Sequence, residues 1–418
     1  MRQGWAALDF GEERELAQLR RLWESIELEI IRVLEAGDSF RQHPLFSKPN
    51  HRMLHGDAKD SLMRLAEAVR VAQPHRAFTI ANRGPELPTH RLMKNHPLLM
   101  TRIALSLLGL IALASTTAFA AELKFTNTPN FVEATPDGQP LGPCHGGLVV
   151  DKAGNIYVTT DTKRGIVVFT PAGKFLRAFG PERIHGLEIR EENGVEVIYA
   201  ARPSAHEVIK LKLDGTQEWA INFPPEAGIY KEAKNFNPCA VTVAPDGSIF
   251  VADGYGANVV LKFDKDRKFV KAFGGPGEAE GKFNTCHGIA LDTRQGKPLL
   301  LVCNRNSNRV EHWDLDGNFV KVIQKDLRMP AAVHIRGDYA VFPELQGRVT
   351  VLDKEGAIVA QVGDNPNPRQ RANYGLPQDQ WKDGICNSPH GASIDKDGNL
   401  LVAEWTQFGR IHKFTRVP

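Results

Sequence analysis

The chain has 418 residues and a formal net charge of +3. That balance is too even to argue for nucleic acid or an anionic membrane as a partner. Its 42% hydrophobic and 24% charged residues are ordinary for a soluble globular protein, and five cysteines exclude a disulfide scaffold while leaving room for one bridge.

Residues 1–92 differ in kind from the rest. Glu12–Leu34 and Leu62–Val71 read as charged, helix-friendly stretches among Arg, His and Pro, with no strand pattern. Residues 93–120 then carry the parts of a secretory signal. Lys94, His96 and Arg102 lead, Ile103–Ala114 is apolar, and Ala118-Phe119-Ala120 has the small-x-small form of a cleavage site before Ala121. Two readings stay open for 1–92: an untranslated stretch ahead of a true start at Met93 or Met100, or a cytosolic segment ahead of a signal-anchor. Either way the sequence predicts that everything after Ala121 is exported, to the periplasm or the extracellular space. No membrane span is expected in the mature protein.

From 121 to 418 one unit recurs. Its clearest copy is Pro238–Gly274, where Val-, Ile- and Phe-rich runs (Ala240–Val243, Ser248–Ala252, Val259–Phe263, Phe269–Phe273) alternate with Asp-Gly or charged turns. Four such strands in about forty residues make one β-propeller blade. The inner strand begins at Pro143-Cys144-His145, Ile184-His185-Gly186, Pro238-Cys239-Ala240, Thr285-Cys286-His287, Pro330-Ala331-Ala332 and Ser388-Pro389-His390. The sixth copy lacks a fourth strand, and Leu123–Glu133 is available to supply it. Closing the ring removes an exposed edge. The predicted fold is therefore all-β, a single six-bladed propeller.

In such a blade the start of the inner strand and the end of the second strand lie on the same face. The first set is His145, His185, Cys239, His287, Ala331 and His390. The second includes Asp161, Arg202, Asp253 with Tyr255, Arg305, Glu344 and Trp405. His185, His287 and His390 fall in alternate blades, about 120° apart on a six-fold ring. Three imidazoles so placed can hold one metal and leave a position open, the usual form of a catalytic zinc site, though imidazole also suits Fe, Cu or Ni. A His at a blade start can equally cap a turn. His145 is open between a supporting residue, a substrate contact and a structural role. Cys144 and Cys286 precede their His and are expected to turn away from the axis, whereas Cys239 faces it.

The repeat pattern resembles the NHL family of propellers. Asp253-Gly254-Tyr255, the loop Gly274–Gly281 and Ser204–Leu211 narrow the resemblance to the lyase domain of peptidylglycine α-amidating enzymes, peptidyl-α-hydroxyglycine α-amidating lyase. The resemblance implies zinc on the axis held by His185, His287 and His390. It implies Tyr255 as catalytic base, with its pKa lowered by the metal and by Arg305. Arg305 and Arg202 would grip a substrate carboxylate, and His145, Asp253, Glu344 and Trp405 would line the substrate position. The departures are specific. Asp161 stands where the family has an Arg in blade one, with Arg164 or Arg202 as substitutes. Ser388 replaces a Met, Gly391 an Asp, and Gly256 a disulfide Cys.

The expected protein is a monomeric, exported, metal-dependent lyase-like enzyme taking a small hydroxylated amide or a peptide end. The rival is a non-catalytic NHL propeller binding a peptide, glycan or envelope protein on the same face. A sugar-lactone hydrolase of the gluconolactonase type would need a Glu, Asn and Asp metal set that Glu344, Asn304 and Asp253 do not clearly fit. The long connector Asp364–Asn387 carries Tyr374 and Trp381 and is expected over the His face, as a lid or a variable loop.

Overall fold

A strand that is apolar on both faces has to be covered twice, once by each neighbouring sheet. Ile249–Asp253 is buried at every position. Ile249 and Val251 pack with Val197, Tyr199 and Val208 of the preceding blade. Phe250 and Ala252 pack with Leu300, Val302 and Trp313 of the following one. Repeated around a circle, this alternation gives a core of inter-blade layers in which each large side chain contributes about 1.5–3 kcal/mol.

The computed structural model describes residues 122–417; the extension 1–92 and the signal segment 93–120 lie outside the described residues. Six four-stranded antiparallel sheets form the blades. From inside outward, blade one is Leu148–Val150, Ile156–Thr159, Ile166–Phe169 and Phe175–Phe179. Blade two is Leu187–Glu192, Val195–Arg202, Glu207–Lys212 and Gln217–Asn222. Blade three is Ala240–Val243, Ile249–Asp253, Val259–Phe263 and Phe269–Gly274. Blade four is Cys286–Asp292, Leu299–Asn304, Arg309–Trp313 and Phe319–Gln324. Blade five is His334–Arg336, Tyr339–Glu344, Arg348–Leu352 and Ile358–Val362. Blade six is Pro389–Ile394, Leu400–Glu404 and Arg410–Val417, and its outer strand is Lys124–Thr128 from the start of the described chain. That strand pairs antiparallel with Arg410–Val417, from Lys124 opposite Val417 to Thr128 opposite Lys413. The ring closes as the sequence predicts.

The turns are chemically alike. Asp151, Asp314, Asp353 and Asp395 each accept from the backbone N–H four residues on, at 2.7–2.9 Å. This is the local bond that makes Asp a turn former. In blade two the hairpin runs through Asn193 and Gly194, with φ of 50° and 82°, a turn whose two central positions both need positive φ.

Two irregularities set up the centre of the ring. The ladders of blades four and six slip at His287 and His390, between Cys286 and Ile289 and between Pro389 and Gly391. A bulge of this kind re-aims a side chain. In blade one the inner strand starts only at Leu148, so His145-Gly146-Gly147 precedes it. All five cysteines are free and buried, so no bridge forms among them. Among the described residues no helix is long and apolar enough to cross a membrane.

Candidate functional site

The inner-strand starts converge as expected. The ring centroids of His185, His287 and His390 are 4.6–5.1 Å apart, and all three residues are buried. Burial pushes each well below the ordinary imidazole range, helped by neighbouring imidazoles and Arg305, so the rings are neutral. Blades without an inner His contribute backbone instead. His185 Nδ1 donates to the Cys239 carbonyl at 2.7 Å, and His287 Nδ1 donates to the Ala331 carbonyl. Each bond fixes the tautomer and leaves Nε2 as a lone-pair donor toward the axis, the arrangement a metal-binding imidazole needs. His390 breaks the pattern, because its Nδ1 is buried without a partner among the described residues.

Tyr255 reaches over these rings from the loop after Asp253. A side chain at Gly254 would run into the Cys286 carbonyl, so glycine lets the loop lie flush on blade four and swing the tyrosine inward. The Tyr255 hydroxyl is 2.8 Å from His287 Nε2 and 3.3 Å from His185 Nε2. It accepts from Arg305 Nη1 at 3.0 Å, and the Arg305 guanidinium lies 5.3 Å from the centre of the tyrosine ring. One hydroxyl proton cannot satisfy two acceptor nitrogens. The shorter bond takes it, and the His185 lone pair is left facing the axis. Burial outweighs Arg305 and pushes the Tyr255 hydroxyl up to about 12. Without a metal Tyr255 is thus a neutral phenol; the expected lowering belongs to the metal-bound state.

His145 completes the ring of imidazoles. Its centroid is 4.6 Å from that of His185 and 5.2 Å from that of His390. Its Nδ1 lies 3.1 Å from the Asp161 carboxylate, and its ring stacks on Trp405 at 5.2 Å. Tyr374, from the connector Asp364–Asn387, packs on Trp405 at 4.9 Å. The connector thus reaches the His face and extends an aromatic wall there. One ligand atom each from His145, His185 and His390 lies within 4.8 Å of the others, while His287 is the ring held closest by Tyr255.

No family model matches the chain. NHL repeat-containing protein 3 of Homo sapiens is 28% identical over 160 residues, covering 36% of this chain and 45% of that protein. Over that stretch the chain is similar to an NHL-repeat protein. It spans less than half the length of that relative. A streptogramin B lyase structure is similar with a TM-score of 0.47 and 16% identity, over 71% of this chain and 98% of that one. The virginiamycin B lyase of Staphylococcus aureus gives 0.46 and 15% over 71% and 99%. A structure assigned as a gluconolactonase gives 0.47 and 13% over 70% and 98%.

Several residues expected at the mouth turn elsewhere. Asp253 is fully buried and accepts from Tyr230 Oη, Asn237 N and Ala257 N at 2.6–2.8 Å. Glu344 is fully buried against Arg348, Thr350 and the Arg328 N–H. Asn304 and Glu404 repeat the device, accepting from Asn284 N and Ser388 N at 2.9 and 3.1 Å. The last residue of the second strand therefore ties down the loop entering its own blade. Substrate contact by Asp253 and Glu344 is corrected to this structural role, since no oxygen of either faces the mouth unpaired. The residues that do face it come one or two later: Asp161, Tyr255, Arg305 and Trp405. Arg202 is half-buried and paired with Glu207, and Arg164 is bonded to Asp137 and the Pro140 and Leu141 carbonyls. Among the described residues neither hydrogen-bonds to the imidazoles, and a carboxylate grip by Arg202 would require it to release Glu207. Cys239 serves through its carbonyl, and burial pushes its thiol up to about 12. A second donor group, Cys386, Glu404 and His412, is an ion-pair network, because Glu404 is already bound by Arg410 and two backbone N–H groups.

Proposed function

We propose that the chain is an exported, metal-dependent lyase-like enzyme similar to peptidyl-α-hydroxyglycine α-amidating lyase. The observation that carries this reading is the Tyr255 hydroxyl, set between Arg305 and the Nε2 atoms of His185 and His287. The donor set fits a divalent metal such as zinc or iron: neutral imidazoles, two of them tautomer-locked by carbonyls, with the Arg305 cation held off them by the Tyr255 hydroxyl. His185, His287 and His390 would hold it, and when bound it would lower the pKa of a substrate hydroxyl.

The substrate is a carbinolamide, R-CO-NH-CH(OH)-COO⁻. Tyr255 takes the hydroxyl proton. The oxygen lone pair forms the carbonyl of glyoxylate as the C–N bond breaks, and Tyr255 returns the proton it took to the departing amide nitrogen. Acting as a base requires Tyr255 to ionise, which the charge of Arg305 favours and burial opposes. Arg305 also presents a guanidinium fork to the substrate carboxylate. The test is glyoxylate release from an α-hydroxyglycine compound by the metal-loaded chain, with Tyr255→Phe as control.

One observation favours the rival of a non-catalytic propeller. With Arg202 paired to Glu207 and Asp161 at the blade-one position, Arg305 alone would grip a carboxylate. The aromatic wall of Trp405 and Tyr374 suits a peptide or glycan held without chemistry. Binding of metal with no glyoxylate released would select that reading.

A further inference from the structure

His145 has the same marks as the two best-defined imidazoles of the centre. One ring nitrogen is committed to an acceptor, here the Asp161 carboxylate at 3.1 Å. The ring is fixed in plane, here by stacking on Trp405 with 22° between the planes. The remaining nitrogen belongs to a ring 4.6 Å from His185 and 5.2 Å from His390, centroid to centroid. A carboxylate behind an imidazole is the usual outer partner of a metal-binding histidine, where it fixes orientation and raises basicity.

The backbone around it is built for close approach. Gly146 has φ of +93°, and a Cβ there would stand 3.1 Å from both His185 Cε1 and His390 Nδ1. The blade-one loop therefore packs directly on two of the imidazoles. It also sits where the carbonyl partner of His390 would be expected, since His185 and His287 each bond to the next blade and His390 Nδ1 does not. Blade one offers an imidazole at the point where blades three and five offer a carbonyl.

We propose that His145 is a fourth metal ligand of the centre, held in position by Asp161 and Trp405. The proposal rests on the metal reading above and extends it. Nitrogens around a zinc-sized ion at about 2.0–2.1 Å stand roughly 3.3 Å apart. The His145, His185 and His390 donor atoms lie within 4.8 Å of one another, a set that leaves out His287, so binding would draw them together by up to about 1.5 Å and bring His287 in with them. Four imidazoles and one exchangeable position would make a five-coordinate site, and Asp161 stands beside it in place of a carboxylate-gripping guanidinium.

The test titrates the full chain, stripped with a chelator, with Co(II), followed by calorimetry and visible absorption. The wild type is expected to take one equivalent with the weak bands of a five-coordinate ion. His145→Ala should lower affinity at least tenfold and give the stronger bands of a four-coordinate ion. Asp161→Asn should cost roughly 10–100-fold, as loss of an outer partner does. His145→Phe keeps the stack on Trp405 and serves if the alanine variant does not fold. Affinity and spectrum unchanged in His145→Phe and Asp161→Asn, with the metal still lost in His287→Ala, would overturn the fourth ligand and leave the three-histidine site standing. No uptake by the wild type would remove the metal reading itself.

Discussion

The Tyr255 hydroxyl donates to His287 Nε2 at 2.8 Å, a direction set by the carbonyl of Ala331, which holds the proton of that imidazole on Nδ1. A backbone group of blade five thereby orients a side chain of blade three through a histidine of blade four. If Tyr255 is the base, Tyr255→Phe removes the proton acceptor that Arg305 favours. Turnover should fall about 10²–10⁴-fold, with metal content unchanged because the imidazoles stay. Full glyoxylate release by the phenylalanine variant would exclude the role.

Arg305 has two roles that can be separated. It is the cation nearest the Tyr255 hydroxyl, and it opposes burial in setting the Tyr255 pKa. Arg305→Met should move tyrosinate formation above about 12, read by ultraviolet absorbance on the metal-free protein. It should also raise KM for a carboxylate substrate by about 10–100-fold, the worth of a charge-assisted hydrogen bond of roughly 1.5–3 kcal/mol. Arg305→Lys should recover the charge effect more than the binding effect, because the fork is lost. A KM unmoved in both variants would mean that the carboxylate is gripped elsewhere.

The blades were legible because period-two hydrophobic runs and Asp-bearing turns are local signals, and the ring followed from a missing outer strand matched by a spare one at Leu123–Glu133. The His positions were legible for the same reason, since each opens an inner strand. What the sequence could not place was the facing of the second-strand ends. Asp253 and Asp161 both stand there, yet the first points between blades and the second into the mouth. Asp253 is the last paired residue of its strand, whereas Asp161 stands two residues past the end of its own at Thr159, and nothing in the local composition marks that last paired residue. The carbonyl partners Cys239 and Ala331 were invisible for a different reason: a backbone acceptor has no residue-type signature.

Gly146 tests how closely blade one must approach. Its φ of +93° disfavours any Cβ, and the Cβ would press on His185 and His390 at 3.1 Å. Strain of this kind costs about 1–2 kcal/mol, and it falls on the two rings rather than on the core. Gly146→Ala should therefore lower metal affinity far more than thermal stability. Metal titration alongside melting curves would show it, and a variant with weakened stability but intact metal binding would contradict this close-approach role.

Glu404 gives the fold a defined acid weakness. Burial works to raise its pKa, but Arg410 and His412 outweigh burial and hold the carboxyl at about 2, against an ordinary value of 4.5. The sign follows from linkage: a depressed folded-state value adds stability that is present in full above about 4.5 and is lost as pH falls toward about 2. Arg410→Met leaves the buried carboxylate without its main partner, at a cost of about 3–5 kcal/mol near neutral pH. At pH 2 the carboxyl is about half protonated with the arginine and largely protonated without it, so the penalty should shrink there. Urea unfolding of wild type and variant at pH 6, 4 and 2.5 measures the gap. A gap that stays constant across that range would mean that Arg410 stabilises the blade through packing on Trp381, whose ring centre lies 4.6 Å from its guanidinium, and not through Glu404.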